Sequence, residues 1–344
     1  MNADGHPDAE AQEPPRPAAA GTPAGETSAP LIFVVILTHN GREHLSYSVP
    51  SILSSDCDSF HVLLIDNGSS DGSADYVREH FPEVEVHAAE RNLGWAGGNN
   101  LGIRIALGRG ARYVVLANDD IRVHPRWLRA AVEVFRRECE AGVVGFHVFG
   151  AMQPGRLEDF RKASEEWEEL AWQPAKVVHG MAMAVRAEVF EDIGLIDEKY
   201  FLYGEETDFE TRAGLAHYRI VETNVPVWHC SQGTSAKTPV KASWFAMRNA
   251  LRGAIKNDSP AGILRTIFFM FNAGCNPWYE KGSENVCIRR LRPGSRLFNA
   301  GLFCLALLWN VFHVPWTLRT KARERQLIRE AIARRKRLDA DRAD

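Results

Sequence analysis

Cysteine is scarce and unpatterned in this chain of 344 residues. Six occur, at positions 57, 139, 230, 275, 287 and 304, with no Cys-x-x-Cys pair and no regular spacing. A reduced, cytosolic setting is therefore expected rather than a disulfide framework. An excess of one charge is also missing. Lys and Arg total 41 against 44 Asp and Glu, a formal net charge of -3, which gives no reason to expect a nucleic-acid partner. The N-terminus lacks a basic segment followed by an apolar core, so no secretory signal is expected. Residues 1 to about 30 have almost no large apolar side chain and are rich in Ala, Pro, Gly and Glu. Such a segment cannot bury a core, and disorder is expected there.

The remaining sequence is that of a globular protein, with 45% hydrophobic and 25% charged residues over the whole chain. Its length allows one large domain or two ordinary ones. The organising stretch is Tyr113-Val-Val-Leu-Ala-Asn-Asp-Asp120. A short apolar run with polar residues behind it suits a parallel strand covered on both faces. In open α/β sheets, ligands bind beyond the carboxyl ends of the strands. Asp119 and Asp120 fall at such an end, and hard oxygen donors there suit Mg²⁺ or Mn²⁺ bridging to a diphosphate. Taken alone, the same residues also suit a helix cap or a turn.

The rest of the chain repeats the pattern. Apolar runs over 31–37, 61–65, 84–87, 113–116 and 143–147 read as strands. Helices are expected over about 42–54, 73–81, 98–107 and 125–139, with Pro50 kinking or ending the first. Residues 92–100 read as a glycine-rich turn opening the third helix. Such alternation argues for βαβ units and a mostly parallel sheet. Right-handed crossovers then gather Thr38, Asp66, Asn92 and Asp120 around one crevice. Charged residues 151–175 break the rhythm. A strand through 179–185, helices over 187–193 and 205–216 and a strand over 219–222 follow, with Gly194 a C-cap candidate. Beyond about 240 the chain turns helical and apolar, over 243–251, 263–271 and 297–316. The last stretch is marginal for a span of about 20 residues. A helix in the interface, or one packed on the domain, fits better. The tail 319–337 is basic enough to hold an anionic membrane surface, or to be a solvated helix face.

Several motifs occur in order: Val34-Val-Ile-Leu-Thr-His-Asn40, Ile65-Asp-Asn-Gly-Ser-Ser-Asp-Gly72, Asn92-x-Gly94 with Gly97-Gly-Asn-Asn100, Asn118-Asp-Asp120, Gly180 to Val185, Gly194-x-x-Asp197 and Tyr203-Gly-Glu-Glu-Thr-Asp208. Together they resemble glycosyltransferase family 2, and within it the bacterial rhamnosyltransferase-like branch. The resemblance covers about residues 31–235. It implies a GT-A fold, a Rossmann-like, mostly parallel sheet flanked by helices, followed by an apolar helical region over 236–344.

The resemblance also implies roles. Thr38, Asn40 and Asp66 would line the nucleotide pocket, with Asp66 on the base. Asn92, Gly94 and Asn100 would shape the wall against ribose and diphosphate. Asn118 and Asp119 would approach the donor, and Asp120 would contact the divalent cation, Asn118 replacing the first acid of the family's metal motif. His229, in Val227-Trp-His-Cys-Ser-Gln-Gly233, would complete the metal site. Trp228 would stack on a sugar or pack internally. Glu206 falls on the catalytic-base position, where the family usually has Asp; Glu205 and Asp208 are the other candidates. The implied reaction is an inverting transfer from a nucleoside-diphosphate sugar to a hydroxyl of a glycan or lipid-linked glycan. A peripheral place at the cytoplasmic face of the inner membrane follows from that acceptor. Two rivals stand beside it. A sugar nucleotidyltransferase would carry a Gly-Gly-x-Gly-x-Arg-Leu loop after strand one, where this chain has Thr38-His-Asn-Gly-Arg-Glu-His44. A non-catalytic nucleotide-sugar-binding or assembly subunit is supported by the Glu206 departure alone.

Overall fold

The computed structural model describes residues 31–150, 156–230, 238–275 and 294–343. The N-terminal tail to residue 30, Cys287 and the end of the motif after Cys230 lie outside these residues.

Nine strands form one sheet: β1 Ile32–Thr38, β2 Phe60–Asp66, β3 Glu85–Ala88, β4 Tyr113–Asn118, β5 Ile121–Val123, β6 Ala141–Phe149, β7 Trp172–Pro174, β8 Ala182–Arg186 and β9 Arg219–His229. The helices are α1 Arg42–Leu53, α2 Ser73–His80, α3 Gly94–Gly108, α4 Trp127–Arg137, α5 Leu157–Glu165, α6 Ala187–Ile193, α7 Glu205–Leu215, α8 Pro239–Asn257, α9 Pro260–Cys275 and α10 Arg296–Ala343. The strand order is β3-β2-β1-β4-β8-β6-β9-β5, with β7 beside β9 off that path.

β3, β2, β1 and β4 are mutually parallel, as the βαβ rhythm predicts. The sheet is mixed beyond β4, because β8 runs antiparallel to both β4 and β6. β6 and β9 are again parallel. Both faces are covered, which explains why the strands read as continuous apolar runs. Val34, Ile36, Val62, Leu64 and Val115 pack against Leu45, Val49, Val77, Trp127 and Phe135 of α1, α2 and α4. Phe33, Val35, Leu63, Ile65 and Val114 face the other way, against Ile103 of α3, Phe190 of α6 and Phe209 of α7.

Three local expectations change. α1 continues through Pro50 and ends at Leu53, within a turn of it. α3 starts at Gly94, so the glycine-rich segment is helix and not turn. A Cβ on Gly98 would stand 2.3 Å from Leu37 Cδ1, and one on Gly102 2.3 Å from Val35 Cγ1. These glycines let α3 lie close on β1. β9 extends far past residue 222 because it pairs with β6, β5 and β7 in turn.

The C-terminal helices are built into the sheet domain. Ile328 of α10 belongs to the core under α3 and α7. Lys256 of α8 reaches Asp208 of α7. α8, α9 and α10 share a further small core of Met247, Leu251, Ala273, Leu302, Phe303 and Ala306.

Candidate active site

The loops after β1, β2, β3 and β4 meet at one end of the sheet. Thr38 ends β1, and its Oγ1 donates to Asp119 Oδ2 at 2.6 Å. Asn40 takes the left-handed conformation, φ 56°, which Asn tolerates better than most residues. Its backbone N–H donates to Ser69 Oγ at 2.9 Å, and its Oδ1 accepts from Ser70 N at 2.8 Å. Asp66, buried at the end of β2, accepts from Ser69 N at 2.8 Å. Asn67 is buried too. It donates to Asn92 Oδ1 at 3.2 Å and to the Gly94 carbonyl at 3.1 Å, and accepts from Leu93 N at 2.8 Å. Asn92 also receives Gly94 N at 2.8 Å. A hydrogen-bonded seam thus links the three loops, and Thr38 ties it to the Asp pair.

Gly41 is the tightest point. A Cβ there would stand 1.9 Å from Asp119 Oδ2 and 2.7 Å from Thr38 Oγ1. Gly41→Ala therefore must push the Asp119 carboxylate off Thr38. A charge-assisted hydrogen bond contributes about 1.5–3 kcal/mol. Nucleotide Kd is expected to rise about tenfold or more by titration calorimetry, with the melting temperature lowered by a few degrees for the lost bond.

Asp120 is buried and Asp119 half-buried. β5 pairs antiparallel with β9, setting Ile121 opposite His229. That register brings His229 Nε2 to 3.0 Å from Asp120 Oδ1. His229 Nδ1 lies 3.2 Å from the Gly150 carbonyl. Burial and the charge of Asp120 push the Asp119 carboxyl up to about 7, against the lowering by Thr38. Burial alone would lower the His229 pKa, but the Asp120 carboxylate outweighs it and raises it. The carboxylates of Asp119 and Asp120 are donors of the type that Mg²⁺ or Mn²⁺ accepts, and His229, in contact with Asp120, borders them; among the described residues the three do not bring ligand atoms within 4.8 Å of one another.

Among the described residues, the group that brings three such ligand atoms within 4.8 Å of one another is Asp197, Asp208 and Glu324. Lys256 Nζ already sits among them, 3.1 Å from Asp197, 2.8 Å from Asp208 and 2.8 Å from Glu324. Asp208 also pairs with Arg212 at 3.1 Å and accepts from Tyr200 Oη at 3.2 Å. Burial would raise its pKa, yet Arg212 and Lys256 prevail and lower it. Asp208 is thus a buried, fully paired, weakly basic carboxylate, and its candidacy as base is withdrawn. Asn100 also departs from expectation. Its amide donates to the Ile196 carbonyl at 2.8 Å and to Glu198 at 3.0 Å, and its Oδ1 accepts from Ile196 N at 3.1 Å. It holds the 196–198 loop on α3.

Gly204, at φ 85°, leads into Glu205 and Glu206 of α7. Glu205 is buried, its Oε2 has no hydrogen-bond partner, and burial and then Glu206 raise its pKa well above the ordinary value. Glu206 is half-buried and is raised by burial. A Cβ on Gly180 would stand 3.1 Å from the Trp95 ring and 3.4 Å from Glu206 Cβ, so Glu206 and Trp95 flank that glycine. Trp95 Nε1 in turn donates to Asn118 Oδ1 at 3.2 Å. Trp95 therefore connects the acid helix to the end of β4. Sequence reading missed it because one Trp in a glycine-rich segment has no local signature. Glu210, one turn on, is also missed; burial drives its pKa to about 9, and it accepts from Val178 N at 2.8 Å. Trp228 packs its ring 5.8 Å from Tyr47.

The strap 200–203 ahead of α7 is contorted, with Phe201 at φ 64° and Tyr203 at φ 72°. Such values cost a non-glycine residue of order 1–3 kcal/mol and need outside support. α8 supplies it. Asn249 Nδ2 lies 2.7–2.9 Å from the carbonyl oxygens of Tyr200, Leu202 and Tyr203, which share its two N–H groups. Arg248 donates to those of Lys199 and Tyr200 at 2.7 Å. The Phe201 carbonyl accepts from Trp95 N at 2.7 Å, and a Cβ on Gly94 would meet it at 2.5 Å.

Residues 33–194 match the family model for glycosyl transferase family 2. The chain carries a family 2 glycosyltransferase domain. The transferase is 26% identical over 216 residues to the N-acetylglucosaminyl-diphospho-decaprenol L-rhamnosyltransferase of Mycobacterium tuberculosis, covering 53% of this chain and 70% of that one. It is 24% identical over 217 residues to galactofuranosyltransferase GlfT1 of Mycolicibacterium smegmatis, covering 59% and 70%. Among solved structures, the mannosyltransferase PcManGT from Pyrobaculum calidifontis with GDP-Man and Mn²⁺ shares the fold at TM-score 0.53 and 19% identity, over 89% of this chain and 87% of that one. S. aureus TarS residues 1–349 with UDP-GlcNAc shares it at TM-score 0.51 and 15% identity, over 89% and 91%.

Proposed function

We propose that this transferase moves a sugar, with inversion, from a nucleoside diphosphate to a hydroxyl of a lipid-linked glycan at the cytoplasmic face of the membrane. The observation that carries the reading is the run of contacts from Glu206 past Gly180 and Trp95 to Asn118, which leads to the strand end bearing Asp119 and Asp120. Asp120 and His229, with Asp119, would hold Mg²⁺ or Mn²⁺, which neutralises charge on a departing diphosphate. Thr38, Asn40, Asp66 and Asn92 form the donor side of the crevice. Glu206 takes the proton of the acceptor hydroxyl as its oxygen bonds to the anomeric carbon and the bond to the diphosphate breaks. Burial raises the proton affinity of Glu206, which favours that role. One carboxylate and one in-line displacement imply inversion. The names of the two mycobacterial relatives support a bacterial cell-envelope glycan, with rhamnose or galactofuranose as the first sugars to test.

The test is calorimetric titration of UDP, dTDP and GDP with and without Mn²⁺, on the wild type and on Asp120→Ala. One nucleotide should bind with metal dependence, and the variant should lose that dependence. Binding indifferent to both metal and Asp120 would remove the cation from the reading. Absence of binding for every nucleotide would point to a non-catalytic subunit.

A further inference from the structure

Helix α10 contains an 18-residue window with mean hydropathy 1.7, apolar enough to cross a bilayer. Its packing forbids that orientation. One side is part of the protein. Leu302, Phe303 and Ala306 lie in the core shared with α8 and α9. Asn310 Nδ2 donates to the Arg248 carbonyl at 2.9 Å, and Thr317 Oγ1 accepts from buried Arg252 at 2.7 Å. A spanning helix would have to strip these groups from α8 and place Asn310 and Thr317 in hydrocarbon. The other side is bare. Leu305, Leu308, Phe312 and Trp316 follow one another at helical spacing and are exposed, Phe312 at 79%. α9, whose Phe271 ring meets that of Phe303 at 5.7 Å, adds exposed Leu264 and Phe268. An apolar surface on two adjoining helices marks an interaction site.

Charge identifies the partner. Past the apolar stripe, α10 carries exposed Arg319, Arg323 and Arg329, and Arg265 is exposed on α9. Of the two acids between 319 and 330, Glu324 is neutralised by Lys256, leaving only Glu330. An apolar stripe continuing into basic side chains on one helix suits a helix lying in the headgroup plane of an anionic bilayer. We propose that α9 and the apolar half of α10 dock this transferase flat on such a bilayer, with the basic half of α10 on acidic lipid headgroups. The docking stands on this surface; its use for a lipid-linked acceptor rests on the transferase reading. The docked helix is one layer from the acid helix, since α8, which receives Asn310, also holds the strap ahead of Glu206.

The full chain is tested by flotation with phosphatidylglycerol-containing vesicles and with pure phosphatidylcholine vesicles, for the wild type and for the double variant Leu308→Glu/Phe312→Glu. The wild type should float with the anionic vesicles and detach as salt rises. The double variant should bind them at least about tenfold more weakly while nucleotide titration with Mn²⁺ stays unchanged, so loss of docking and failure of the donor site are read separately. Alkaline carbonate should release the wild type. Retention after carbonate would overturn the proposal in favour of a span. Equal binding by the variant would overturn the assigned face. A dimer by light scattering that the double variant dissolves, with no vesicle binding, would assign the face to a second copy.

Discussion

Glu206→Gln is expected to bind nucleotide and Mn²⁺ like the wild type and to turn over about 10²- to 10⁴-fold more slowly, the range for loss of a positioned general base. The amide has nearly the shape of the carboxylate but cannot accept the acceptor's proton. The effect should therefore fall on kcat, with nucleotide affinity unchanged. Glu205→Gln is the informative companion. Glu205 is buried, lacks a partner at Oε2, and has its pKa raised well above the ordinary value by burial and then by Glu206. Replacing this buried acid with an amide of nearly the same shape should cost little turnover. Release of nucleoside diphosphate from the donor, measured with a polyprenyl-diphosphate-linked acceptor, decides between them. Collapse in Glu205→Gln with survival of Glu206→Gln would transfer the base to Glu205.

The sequence exposes this site to the extent that it lies at strand ends. Thr38, Asp66, Asn92 and Asp120 each stop an apolar run, so alternation and handedness alone bring them to one crevice. Asp120 and His229 meet because β5 and β9 pair in register. What stays hidden depends on pairing between distant segments. The antiparallel insertion of β8 has no local mark. The glycines of α3 look like a turn because nothing in 92–100 shows that Leu37 and Val35 will press on them. Asp208 resembles a catalytic acid by its place in a first helical turn. Its neutralising Lys256 is 48 residues away on a helix that reads as an appendage. Contacts across the boundary expected at residue 235 are hidden for the same reason, as α8 reaches both Asp208 and the strap.

Lys256→Met is accordingly expected to destabilise the whole protein by about 3–5 kcal/mol, the cost of stranding buried carboxylates. Lys256 is 1% exposed and has Asp197, Asp208 and Glu324 around its ammonium group. With Arg212 and Arg252 the cluster holds three cations against three acids. Methionine keeps much of the stem and removes the charge, so the loss is electrostatic and not a cavity effect. Urea denaturation of the full chain should show one transition at a lower midpoint, and the same cluster predicts acid sensitivity. Burial would raise the Asp197 pKa, but Lys256 and Arg252 overcome it and hold it at about 2, below its ordinary 3.8. A folded-state pKa below the unfolded one stabilises above the unfolded pKa. The contribution, on the order of 2 kcal/mol by linkage, is therefore present above about pH 4 and lost as pH falls toward 2. That acid-labile component should be smaller in Lys256→Met, because the missing cation no longer depresses Asp197. If instead the variant melts in two steps, α8–α10 first and the sheet domain unchanged, the C-terminal helices are a separate domain. In that case α8 cannot be what holds the strap before Glu206, and Asn249→Ala should leave turnover intact.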